Sequence, residues 1–204
     1  VLNDDAIFTA AKGYIYIGEV GTASVPTPAL IQAFRNPGFD PDAADVLGTG
    51  WSHIGHTARE ELPEFGFDGG EAETRGTWQN EAVKQVITEA LVDYVTFNLH
   101  QFDDQALSIY YGQANAAGAV EGEFIVSGAP TAGVEKSLCM VMVDGDAAIG
   151  FYARKASLLR EGAVTLAVDE FSALPLRATF LKDGSNPLYR WISLDMGINP
   201  TAVP

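Results

Sequence analysis

The 204 residues carry 27 acids against 12 bases, a formal net charge of −15, with 3 histidines and 1 cysteine. That balance disfavours tight wrapping of nucleic acid, because phosphates attract Lys and Arg, and it leaves little material for metal or thiol chemistry. A hydrophobic content of 47% argues against disorder, and no run approaches the roughly 18 apolar residues of a membrane helix. The chain is long enough to bury a substantial core and is read as a single domain spanning residues 1–204.

Gly13-Tyr-Ile-Tyr-Ile-Gly18 opens the chain's strand signals, β-branched and aromatic between boundary glycines. Residues 22–50 follow, with Pro26, Pro28, Pro37 and Pro41, and are read as an extended arm or long loop. Trp51-Ser-His-Ile-Gly-His56 starts a second strand. An acidic stretch comes next, with Glu60, Glu61, Glu64, Asp68, Glu71 and Glu73 between Arg59 and Arg75, interrupted by Phe65 and Phe67. Strand composition resumes at 74–78, 83–88 and 91–100. In the last of these, Val95, Phe97 and Leu99 share the core-facing side, and Val92, Tyr94, Thr96, Asn98 and His100 share the other.

A helix is expected from Asp104 to about Asn115, capped by Asp103, with Phe102, Ala106, Ile109 and Tyr110 near helical spacing. Further strands are expected at 120–127, 137–143, 148–158, 163–168, 174–181 and 189–195, with turns at Asp144-Gly145 and Asp183-Gly184. The tail at 197–204 reads as extended. Many strands around one short helix predict a mainly β fold, a β-sandwich or partly open barrel with one flanking α-helix.

Catalytic motifs are missing. His53 and His56 are three apart, which on a strand sends their side chains to opposite faces, and no third Cys or His lies near them. His100 at a strand end reads as a core-edge group. Asp40, Asp42 and Asp45 resemble a calcium loop only superficially, lacking its glycine and terminal glutamate. Cys139, within an apolar run, reads as a buried structural thiol. No phosphate loop, dinucleotide fingerprint or nucleophile elbow occurs, so neither an enzyme nor a cofactor is expected. Trp51 and Trp78 offer the ingredients of a carbohydrate platform, so a β-sandwich carbohydrate-binding or decoration module stands as the alternative, with core or interface packing as their other use.

The segments Gly13–Gly18 with Gly21-Thr-Ala, then Trp51 through Gly70, Thr77-Trp78, Leu99 through Asp104 and Ile149-Gly-Phe-Tyr-Ala-Arg-Lys-Ala156, taken in that order, resemble the tail tube (major tail) proteins of long-tailed bacteriophages, particularly those of actinobacteria. The resemblance spans roughly residues 10–195. It implies a sandwich or barrel subunit without catalytic residues, stacked as rings, commonly hexamers, around a lumen for double-stranded DNA. It also implies a long inter-subunit hairpin, placed in 51–78, and extended arms, with 22–50 as one of them. On that reading Glu60, Glu61, Glu64, Asp68, Glu71 and Glu73 are lumen or ring-contact candidates. Trp51, Phe65, Phe67, Trp78, Arg154 and Lys155 are inter-subunit candidates. The implied partners are further copies of the chain, tape measure and tail terminator proteins, and DNA passing without specific binding, with no membrane; the implied setting is the virion tail, assembled in the host cytoplasm.

Overall fold

The computed structural model describes residues 3–129 and 132–199. In chain order these form β1 (Lys12–Gly18), α1 (Pro28–Ala33), β2 (Trp51–His53), β3 (Glu64–Asp68), β4 (Ala72–Thr77), β5 (Asn80–Ile87), β6 (Val92–Leu99), α2 (Asp104–Tyr111), β7 (Val134–Asp144), β8 (Ala147–Arg160), β9 (Leu174–Phe180) and β10 (Arg190–Ile192). An 8-stranded antiparallel sheet runs β2-β1-β7-β8-β9-β6-β3, with β10 also paired to β8. The strand β8 is long enough to hold β10 near its start (Tyr152 opposite Arg190) and β9 near its end (Leu158 opposite Ala178). The sheet folds over at this point. Ile15, Leu138, Met140 and Phe151 from one half meet Val95, Phe97, Leu99 and Leu176 from the other in a single core, so one continuous sheet supplies both layers of a sandwich.

The half made of β1, β7 and β8 is covered on its second face as well. Tyr16, Cys139, Val141 and Tyr152 pack there against Ile31, Phe34 and Leu47. Burial on both faces explains why β7 reads as an unbroken apolar run, Leu138-Cys-Met-Val141, instead of an alternating one. The Ser137 hydroxyl, also buried, donates to the Arg154 carbonyl at 2.7 Å beside the register shift of the β7–β8 pair.

The covering layer comes from residues 22–50, which are mostly irregular but contain α1. Pro28 stands at its first turn, and the Thr27 hydroxyl accepts from the Leu30 N–H at 3.4 Å. The sequence reading missed this helix because 6 residues are too few to show a helical period and the surrounding prolines signal loop. The Asp195 carboxylate clamps the layer down. It takes the Arg35 guanidinium at 2.9 Å, the Gln32 amide at 3.1 Å and the Ala148 N–H at 3.0 Å. Gly150 is required beneath α1, since a Cβ there would lie 2.6 Å from Ile31 Cδ1.

The helix α2 forms where expected, with Asp103 accepting from the Ala106 N–H at 2.8 Å. It stops at Tyr111, short of Asn115, because Gly112 turns left-handed at φ 66°. Ala106, Ile109 and Tyr110 face the core, whereas Phe102, ahead of the cap, is exposed. Two expected strands are not formed. Around 120–127 the side chain of Asn115 meets the backbone, donating to Glu123 O at 2.7 Å and accepting from Ile125 N–H at 3.0 Å. Over 163–168 only Thr165 pairs, with Ala173. Both glycine turns are in place, at Gly145 (φ 54°) and Gly184 (φ 56°). The tail beyond Asn199 lies outside the described residues.

Candidate assembly interface

Between β3 and β6 the chain leaves the body as the β4–β5 hairpin, which pairs with no strand of the main sheet. Gly69 and Gly70 form its root, at φ 74° and 75°, a left-handed pair that side-chain-bearing residues resist. A Cβ on Gly69 would also lie 2.4 Å from the Ala90 carbonyl oxygen. The two strands pair from Ala72 opposite Ile87 to Arg75 opposite Lys84, shift register at Gly76, and end with Thr77 opposite Asn80, leaving Trp78-Gln79 as the tip. Trp78 is 99% exposed, and Val83 and Ile87 are exposed along β5. A lone two-stranded ribbon is marginal in water, and clustered exposed apolar side chains mark surfaces that meet something.

The predicted site residues fall into three settings. Glu60, Glu61, Glu64, Asp68, Glu71 and Glu73 are all exposed. Glu61 accepts from the Asn98 amide, Asp68 pairs with Arg177, and Glu73 pairs with Arg75 at 3.1 Å. Phe65 and Phe67, two apart on β3, are placed differently. Phe65 packs edge-on against Phe151 (4.8 Å between ring centres) and tilted against Trp191 (5.2 Å), while Phe67 is 65% exposed. Trp51, Arg154 and Lys155 belong to the body. The Trp51 indole N–H donates to the Ser24 carbonyl at 2.9 Å, Arg154 pairs with Asp183, and Lys155 pairs with Glu135 at 2.8 Å.

The sequence reading ended the hairpin region at Trp78 and took 83–88 as a separate strand, so Val83 and Ile87 were not singled out. The tip Trp78-Gln79 lacks the Asn-Gly or Asp-Gly signal that marks a two-residue turn. The bare Gly76 was the remaining clue. The register shifts beside it, and a Cβ there would lie 2.4 Å from the Glu81 carbonyl oxygen.

Several polar groups singled out in the sequence are engaged within the fold. His53 Nδ1 lies 2.9 Å from Asp42 and its ring 5.1 Å from that of Tyr16, while His100 Nδ1 is 3.0 Å from the Ser172 carbonyl. Burial pushes the Tyr16 hydroxyl and the Cys139 thiol well above their ordinary ranges, which keeps both protonated. No cluster of three or more His, Cys, Asp or Glu suited to a metal occurs among the described residues. A cleft of about 390 Å³ beside α2 is lined by Gln105, Ser108 and Gln113, and its one carboxylate, Glu19, is paired with Lys136. Two-carboxylate hydrolysis therefore has no footing in that cleft. Trp51 sits on an edge strand of the body and Trp78 on the hairpin tip, so they make no common sugar platform. Among the described residues no helix is long and apolar enough to cross a membrane.

Comparison with known proteins agrees with this geometry. The chain is 43% identical over 202 residues to the major tail protein Gp23 of Mycobacterium phage L5, covering 99% of this chain and 98% of that protein. It is 42% identical over 199 residues to the major tail protein Gp23 of Mycobacterium phage D29, covering 97% and 96%. The family described as phage tail tube protein matches residues 1–204. The chain belongs to the phage tail tube proteins, structural subunits that self-assemble into the tube of a virion's tail.

Proposed function

We propose that this subunit closes with further copies into rings, six to a ring, that stack into a conduit for double-stranded DNA leaving the capsid. The observation that carries this reading is the projecting β4–β5 hairpin, whose apolar side chains and edges no described residue outside it covers. Neighbouring copies would cover those groups by pairing hairpin strands into a continuous inner sheet, which removes exposed edges. Repetition of such a head-to-tail contact closes as a ring in one direction and extends as a tube in the other.

The acids around the hairpin, Glu60, Glu61, Glu64, Asp68, Glu71 and Glu73, supply the lumen or its rim. Their charge repels phosphates, so DNA slides without strong contacts to break. Trp78, Phe67, Val83 and Ile87 supply the subunit contacts. Trp51, Phe65, Arg154 and Lys155 contribute by holding the body in shape, since each is already engaged within its own chain. Residues 22–50 reach the neighbour from the outer layer they form. Tape measure and tail terminator proteins meet the tube along its bore and at its end, and the tube assembles in the host cytoplasm.

Electron microscopy of the polymerised protein tests the reading. Hollow tubes of sixfold rings with the hairpin at the inner wall are expected; compact monomers at high concentration, or a hairpin facing outward, would overturn it. Replacing Glu60, Glu61, Glu64, Glu71 and Glu73 by Gln is expected to preserve the fold and increase DNA retained within tubes at low salt. Retention unchanged across salt concentrations would remove the electrostatic part of the proposal.

A further inference from the structure

The outer face of β3, β6 and β9 carries a connected set of side chains at the root of the hairpin. Gly66 stands opposite Tyr94, and Arg177 stands opposite Thr96 one row further along. With no side chain on Gly66, the Tyr94 ring lies across the edge strand; a Cβ there would be 2.7 Å from both Tyr94 Cζ and its hydroxyl oxygen. The Arg177 guanidinium rests on that ring, 3.6 Å from its centre. From there it reaches past the Tyr94 row to pair with Asp68, the last residue of β3, while its other nitrogen lies 3.7 Å from Glu161.

We propose that Arg177 is a positioning residue for the hairpin, pinning the end of β3 through Asp68 and so fixing the direction in which β4 and β5 leave the body. Immediately after Asp68 come two left-handed glycines, Gly69 and Gly70, and backbone hydrogen bonding across the root is thin: Gly70 N–H to Glu89 O at 3.2 Å and Thr88 N–H to Glu71 O at 2.9 Å. Glycine pairs of this kind leave the chain free to pivot. Residues before the pivot set its orientation, and β3 is an edge strand held by β6 on one side alone. Arg177 is anchored on β9, inside the sheet, so it ties the loose edge to a fixed one. Arginine suits the task because its flat face stacks on an aromatic ring while its rim still bonds a carboxylate. One of the six acids thereby acquires a second role: besides bordering the lumen, Asp68 orients the hairpin.

The consequence for tube growth rests on the hairpin making subunit contacts, as proposed above, and the test separates the two. Spin labels at Gln79→Cys on the tip and Lys12→Cys on the body give the tip-to-body distance distribution in unassembled full-length subunits; Cys139 is buried and stays unlabelled. Arg177→Gln and Asp68→Asn are each expected to widen that distribution about twofold, with no further widening in the double variant, as for two partners of one interaction. Arg177→Lys, which keeps the charge and loses the flat stack, falls between. Raising salt to about 1 M widens the wild-type distribution but leaves Asp68→Asn unmoved. Unchanged widths in both single variants overturn the proposal, and Asp68→Asn, at an exposed position, gives this result even where Arg177→Gln fails to fold. Wider distributions with tubes forming at the wild-type rate uphold the positioning and count instead against the hairpin as a subunit contact.

Discussion

The β1–β7–β8 half of the sheet and the β4–β5 hairpin are both antiparallel ribbons, yet they differ in nearly every other respect. The first is buried on two faces, between the sandwich core and the layer of residues 22–50. Among the described residues the second pairs only with itself, and it shows both faces to solvent. Hydrogen bonds within a ribbon exchange for bonds to water at little net gain, so burial separates the two. The body carries its own stability; the hairpin draws its order from its root and from whatever it meets.

The comparison breaks if core and hairpin substitutions act alike. The largest effect is expected from Phe151→Ala, which empties the ring cluster of Phe65, Phe180, Tyr189 and Trp191. Urea denaturation should show a loss of about 3–5 kcal/mol. Gly150→Val, which drives a side chain into Ile31, should cost about 1–3 kcal/mol by the same measurement and loosen α1 in hydrogen exchange. Alkali sharpens the contrast. Burial raises the Tyr16 and Tyr152 pKa values in the folded body above the ordinary tyrosine value of about 10, so the stabilisation from their neutral forms is full below that pH and is lost above it. The urea midpoint should thus stay flat through about pH 9 as far as these groups are concerned, then fall. Replacing Ala72–Ile87 by a short Gly-Ser turn should change body stability by less than about 1 kcal/mol and abolish tubes in electron micrographs. Trp78→Ala, the mildest, should leave urea stability within about 0.5 kcal/mol while slowing polymerisation followed by light scattering.

The buried body was the more legible part of the sequence. Val95, Phe97 and Leu99 alternate because one face of β6 is core, and residues 138–141 run unbroken because β7 is buried on both sides. The capping of α2 by Asp103 was equally readable, since it is a local bond between residues three apart. What escaped depends on distant partners. The segment 22–50 resembles free loop until Asp195 gathers Arg35 and Gln32. The strand β3 hid inside an acidic stretch because its pairing to β6 uses backbone groups and needs few apolar side chains. Among the acids, sequence could not separate Asp68 from Glu64, since Arg177 lies 109 positions from the former.

The three tryptophans occupy three optical environments. Trp51 is partly buried and hydrogen-bonded to a carbonyl, and Trp191, 41% exposed, packs edge-on against Phe151 and tilted against Phe65. Trp78 alone stands free in water at the hairpin tip. Its emission therefore belongs at the long-wavelength edge of the spectrum and within easy reach of soluble quenchers. When a neighbour covers the tip, that component shifts to the blue and escapes quenching, so the chain carries an intrinsic fluorescent gauge of its own polymerisation.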